Sequence, residues 1–176
     1  MEATKYTISM LVEDKAGVLN RVASLFRRRG FNIQSLAVGG SEQPGLSRMT
    51  VVVLADPAQV EQVRKQLDKL INVVKIVDLT NDDMVARELA LIKVAATSST
   101  RSEIMQIVDI FRANIVDVGS DSLMVEVTGD EEKVNSLFEL LRRFGIKEVV
   151  RTGRVALTRG AVATRTDDKK KGANYG

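Results

Sequence analysis

The chain has 176 residues, enough for one ordinary domain or two small ones, and its 44% hydrophobic and 28% charged residues suit a core with a well-solvated surface. Its net charge is only +3, and most of that lies in the final stretch TRTDDKKKGANYG, so the remainder offers no broad positive field. Cysteine and histidine are both absent, which excludes a disulfide framework, a zinc cluster, a thiolate nucleophile, a Ser-His-Asp triad and an imidazole base.

In chain order, KYTISMLV (5–12) alternates enough for a strand, and a helix follows from Gly17 to Arg29. Val18, Leu19, Val22, Leu25 and Phe26 recur at helical spacing and predict one apolar stripe. Arg27, Arg28 and Arg29 suit the negative end of the helix dipole, and Gly30 suits a left-handed cap. The helix start is less usual, because Ala16-Gly17 stands where Ser, Thr, Asp or Asn would cap. FNIQSLAV (31–38) and LSRMTVVVLA (46–55) predict strands around the hairpin loop GGSEQPG. Asp56-Pro57 signals an N-cap followed by proline at the first helical position, and Val60, Val63, Leu67 and Leu70 form that helix's face. VVKIVDL (73–79) closes a βαββαβ order.

The same order then repeats. After a polar linker at 80–88, LALIKVAA (89–96) predicts a strand. Thr100 with Glu103 predicts a capping box on a helix carrying Ile104, Ile107, Val108 and Phe111. NIVDVG and SLMVEVTG predict strands, DEEKVNSLFELLRRFG (130–145) a helix, and IKEVVRTGRVALTRG closing β structure. The fold expected is α+β, with two ferredoxin-like βαββαβ sandwiches in tandem over 1–79 and 89–160. Residues 161–176 are polar and aperiodic, and are expected to be disordered. No apolar run approaches the roughly 20 residues that cross a bilayer, and no apolar signal region precedes Glu13. A cytoplasmic protein without membrane attachment is the expectation.

The glycines of VGGSEQPG join strand to strand, so they suit a hairpin better than a phosphate loop, which opens a helix. The arginine runs at 27–29 and 142–143 read as solvated helix ends, and the pairs Asp82-Asp83 and Glu131-Glu132 as linker and helix-start acids. The segment around Gly17 has more to offer. First-turn N–H groups lack internal partners and favour anions, a glycine leaves room for a carboxylate, and Asp14 at the rim could hold an ammonium. That pairing suits a free amino acid. From the residues alone, a tight strand-to-helix turn is the simpler account of Gly17.

EDKAGVLNRVASLFRRRGFNIQSLAVG with LSRMT, and then LALIKV, IFRANIVDV and TGRVALTRG, resembles the small regulatory subunit of acetolactate synthase (acetohydroxyacid synthase) over residues 5–160. The resemblance implies an N-terminal ACT domain, an ACT-like C-terminal domain, and a homodimer that binds valine or a related branched-chain amino acid between subunits. It assigns Asp14, Ala16, Gly17, Val18 and Leu19 to the effector site, with Asn32 and Ile33 reaching it from the neighbouring subunit. Asn is frequent in that family where Asp14 stands here. The implied partner is a catalytic large subunit holding thiamine diphosphate, magnesium and FAD, while this chain holds no cofactor, no metal and no catalytic residue. It would activate that partner and confer feedback inhibition in branched-chain amino acid biosynthesis. A stand-alone amino-acid sensor for another enzyme shares the same features. An RNA-binding module shares the βαββαβ order but needs aromatics on its central strands, where only Tyr6 is available.

Overall fold

The computed structural model describes residues 4–160; the expectations for the 161–176 tail lie outside these. The described chain divides into two units, one running to Val85 with the residues from Ala156 on, the other Ala86–Val155.

The first unit runs β1 (Thr4–Glu13), α1 (Val18–Arg28), β2 (Ile33–Gly40), β3 (Leu46–Ala55), α2 (Pro57–Leu67) and β4 (Val73–Asp78). Its sheet has the order β2-β3-β1-β4, the ferredoxin-like arrangement with β2 at one edge. β1 is antiparallel to β3 from Thr4↔Ala55 to Glu13↔Leu46, and β2 pairs with β3 from Ile33↔Val53 to Gly40↔Ser47. Tyr6, Ile8, Met10 and Val12 alternate toward the helices and pack with Val22, Phe26, Met49, Val51 and Leu67. Thr7, Ser9 and Leu11, pointing to the other face, are buried as well.

Local chemistry accounts for the helix ends. Asp56 caps α2 by accepting from Gln59 N at 2.8 Å, while Gln59 Oε1 accepts from Asp56 N at 3.1 Å, a reciprocal box with proline in the first turn. α1 ends in a Schellman motif: Gly30 N donates to Arg27 O and Phe31 N to Phe26 O, both at 3.0 Å, with Gly30 at φ 74°. Phe31 then meets Phe26 edge to face at 6.2 Å, the apolar contact that accompanies this motif. Leu19 departs from the predicted stripe. It is 44% exposed, whereas Val18, Val22, Leu25 and Phe26 are buried; Val22 shares a face with Val18, one turn earlier, and Leu19 lies about 100° round the helix.

The second unit repeats the plan with β5 (Met84–Ala95), α3 (Arg101–Ile110), β6 (Asn114–Val118), β7 (Ser122–Gly129), α4 (Glu131–Arg142) and β8 (Ile146–Arg151); β9 (Val155–Thr158), which pairs with β5, falls mostly in the residues of the first unit. The sheet order β6-β7-β5-β8 is the counterpart of the first, over a core that includes Ile92, Ile104, Val125 and Leu137. β5 begins inside the stretch read from sequence as polar linker. Glu88 makes this possible, because it is buried while paired with Arg151 of β8. The predicted Thr100–Glu103 capping box is absent. Thr100 Oγ1 accepts from Thr97 N at 2.9 Å, and Glu103 is engaged by Arg143 of α4. A long-range cation removed the glutamate from its local role.

Candidate effector-binding site

β1 ends at Glu13, and α1 opens at Val18 after four intervening residues. The turn is anchored at its base: Glu13 N donates to Asn72 O at 2.9 Å and Asp14 N to Gly45 O at 2.8 Å. Gly17 sits at φ 85°, ψ −9°, in the left-handed region, and no side chain caps the helix. That conformation alone calls for glycine. The space beside it is nevertheless open, since a Cβ at Gly17 would meet nothing within 4 Å. Val18 N donates to Lys15 O at 3.3 Å, while the N–H groups of Leu19 and Asn20 face out of the mouth as orphan first-turn donors. Asp14, Ala16 and Leu19 are exposed around it and Val18 is buried beneath.

A polar chain flanks this mouth. The Glu13 carboxylate accepts from Asn72 Nδ2 at 2.6 Å and lies 3.2 Å from Lys15 Nζ, and Arg21 Nη1 donates to Asn72 Oδ1 at 2.6 Å. The Asn72 hydrogen bond, then Lys15, hold the Glu13 carboxyl below its ordinary 4.5. Sequence reasoning missed Glu13, Arg21 and Asn72 as site neighbours. Asn72 lies in the turn before β4, far along the chain from both partners, and no local pattern announces the contact.

Asn32 and Ile33 are not at this mouth. Ile33 is opposite Val53, which is opposite Tyr6, seven positions down β1 from Glu13; at about 3.3 Å per residue the two groups stand roughly 23 Å apart along the sheet. One chain therefore brings Asp14, Ala16, Gly17, Val18 and Leu19 together and leaves Asn32 and Ile33 at the opposite end.

The second unit has an equivalent turn before α3, and hydroxyls knit that turn together, although no side chain caps α3 itself. Thr97 N donates to Thr100 Oγ1, Thr100 N lies 3.3 Å from Thr97 Oγ1, and Thr97 Oγ1 is 2.9 Å from Ser99 Oγ. Among the helices of the described residues, α1 alone opens on a left-handed glycine.

Tandem ferredoxin-like units, the first with an open helix mouth, define a regulatory chain of the ACT-domain class. The family described as "AHAS small subunit-like ACT domain" matches residues 8–75, and "Small subunit of acetolactate synthase" matches residues 87–160. The chain is 55% identical over 155 residues to an acetolactate synthase small subunit of Mycolicibacterium smegmatis, covering 88% of this chain and 91% of that one. It is 57% identical over 156 residues to a probable acetolactate synthase small subunit of Archaeoglobus fulgidus, covering 89% and 98%. The crystal structure of the Thermotoga maritima acetolactate synthase small subunit superposes with a TM-score of 0.83 at 44% identity, covering 90% of this chain and 99% of that one. The chain belongs to the acetolactate synthase small subunit family, the regulatory subunits of an enzyme of branched-chain amino acid biosynthesis. Among the described residues no helix is long and apolar enough to cross a membrane.

Proposed function

We propose that this chain activates a catalytic acetolactate synthase subunit and carries its feedback inhibition by valine, or a related branched-chain amino acid, bound at the α1 mouth between two copies. Thiamine diphosphate, magnesium and FAD belong, in this reading, to the catalytic subunit. Orphan N–H groups and the positive end of the α1 dipole suit a carboxylate. Asp14 suits the ammonium group, and Leu19 and Val18 border the space for an aliphatic side chain.

The position of Asn32 carries the reading. Among the described residues β2 pairs with β3 alone, so it is an edge strand, and its backbone edge carries little charge. Antiparallel pairing of two β2 strands about a two-fold axis reverses one of them. The partner copy's start of β2 then comes level with Gly40, which stands in register with Ser47 and Val12 beside the α1 mouth. A residue at the wrong end of its own sheet reaches the correct end of its neighbour's.

The RNA-binding alternative loses its one aromatic, since Tyr6 packs into the core between sheet and helices. The deciding experiment measures thermal unfolding of the full chain with and without valine, and then its effect on the catalytic subunit. Valine at 100 times its Kd should add about 2.7 kcal/mol of stability. No shift at millimolar valine, with the catalytic subunit still activated, removes the effector assignment. No effect on the catalytic subunit favours a stand-alone sensor.

A further inference from the structure

The turn at the α1 mouth is framed by a closed ring of hydrogen bonds. Glu13 N donates to Asn72 O at 2.9 Å, and the Asn72 side-chain amide donates to the Glu13 carboxylate at 2.6 Å. The oxygen of that amide accepts from Arg21 Nη1 at 2.6 Å, and Arg21 N donates to Gly17 O at 3.0 Å. The ring runs from Gly17 through Arg21 and Asn72 to Glu13, and the chain from Glu13 back to Gly17 closes it. Asp14 lies within that closing segment.

The second unit contains the same backbone frame without the side chains. Ala95 N donates to Gly145 O at 2.8 Å, the counterpart of Glu13 N to Asn72 O; the two bonds flank the matching register pairs Val94↔Ile146 and Val12↔Val73. Glu103 stands as far before Arg112 as Arg21 does before Gly30, the corresponding left-handed residues at the ends of α3 and α1. Ala95, Gly145 and Glu103 thus take the places of Glu13, Asn72 and Arg21. The first two have no polar side chain, and Glu103 is engaged by Arg143. The frame therefore forms without a side-chain relay. The relay belongs to the unit whose helix opens on a left-handed glycine.

A primary amide suits this place because it donates and accepts at once, joining a carboxylate on one element to a guanidinium on another. It ties the last residue of β1 to the first turns of α1. Asp14, next to Glu13, is the group assigned to an ammonium, and the α1 first-turn donors are those assigned to a carboxylate. Holding these two at a fixed separation before a ligand arrives removes an ordering cost from binding.

We propose that Asn72 is a positioning residue of the effector site: its side-chain amide, linking Glu13 to Arg21, holds Asp14 and the α1 mouth at the spacing that a free α-amino acid requires. This rests on the reading that an amino acid binds there, and Asn72 acts through its neighbours without touching the ligand.

The test uses the full chain and valine in isothermal titration, at a temperature well below the Tm of each variant. Asn72→Asp sets two carboxylates against each other and breaks the relay at Glu13. Asn72→Gly removes the amide and gives the frame the residue that its counterpart in the second unit carries. Combining Glu13→Gln with Asn72→Asp exchanges amide and acid, so that a glutamine amide donates to an aspartate that accepts from Arg21. Each single Asn72 variant should raise the valine Kd by about 10-fold or more, the worth of a hydrogen bond to a charged group. The exchanged pair should return it to within about 3-fold of wild type. An unchanged Kd in both single variants overturns the proposal whatever their Tm, because lost stability alone leaves a folded site's affinity intact. A raised Kd that the exchange does not restore also overturns it, by showing that the pairing with Glu13 is not what matters. If wild type itself does not bind valine, the effector reading fails instead, and the two failures are distinct.

Discussion

Asn72 donates its side-chain amide to the Glu13 carboxylate at 2.6 Å, tying the last residue of β1 to the turn before β4. The same amide's oxygen receives Arg21 of α1, so one asparagine fastens three elements beside the candidate site. Glu13 is held below its ordinary 4.5 chiefly by this bond. A carboxyl depressed in the folded state adds stability above its unfolded value and loses it as pH falls through the folded one. Wild-type Tm should therefore drop more steeply below about pH 4.5 than that of Glu13→Gln. In Asn72→Leu, carboxyl NMR should show Glu13 titrating nearer its ordinary value, and a titration that does not move would assign the shift to Lys15 instead.

The backbone role of Gly17 and its proposed binding role are separable by the choice of substitution. At φ 85° a side chain is strained even though the space is open. Gly17→Asp should lose roughly 1–2 kcal/mol of stability through the left-handed backbone, offset in part by its acid at the helix N-terminus. Gly17→Asn tolerates that conformation better and still places a side chain in the mouth. Calorimetry should find Gly17→Asn close to wild type in stability but without a valine-induced shift. Retention of the full shift would leave Gly17 as a turn residue alone.

Phe26 is fully buried and closes the C-terminal end of α1 against Phe31. Phe26→Ala should cost about 3–5 kcal/mol by chemical denaturation. Phe31→Ala, removing the half-buried partner and its edge-to-face contact, should cost less. Equal losses would mean that the ring pair, rather than the core cavity, dominates.

Several local signals in the sequence were legible. Asp56-Pro57 and Gln59 specified a capped helix, Gly30 specified the left-handed end of α1, and β3 has the predicted bounds of 46–55. The two misread glutamates share one cause. Glu88 became a buried strand residue because Arg151 neutralises it, and Glu103 left its capping role because Arg143 holds it, both from remote elements. The site divides in the same way. Gly17 and its uncapped helix were visible as a gap in an expected capping pattern, whereas Asn72 and Arg21 meet only through folding.

Sharing of the site between two copies, as proposed, makes a prediction that no single mutant can test. If each valine site takes Gly17 from one copy and Asn32 from the other, Gly17→Asn and Asn32→Ala should each abolish the valine-induced Tm shift as homodimers. A two-fold dimer formed from one copy of each has one site carrying both substitutions and one site carrying neither. After unfolding and refolding an equal mixture, about half of the dimers are mixed, so roughly a quarter of all sites should bind valine again. Isothermal titration reads this directly as a recovered stoichiometry with wild-type affinity, and unrefolded mixtures of the two homodimers provide the blank. A site confined to one chain predicts no recovery under any mixing protocol. The β2 edge makes the distinction physical: Asn32 and Gly17 lie at opposite ends of one sheet, so recovery on mixing requires the neighbouring strand to run in the reverse direction.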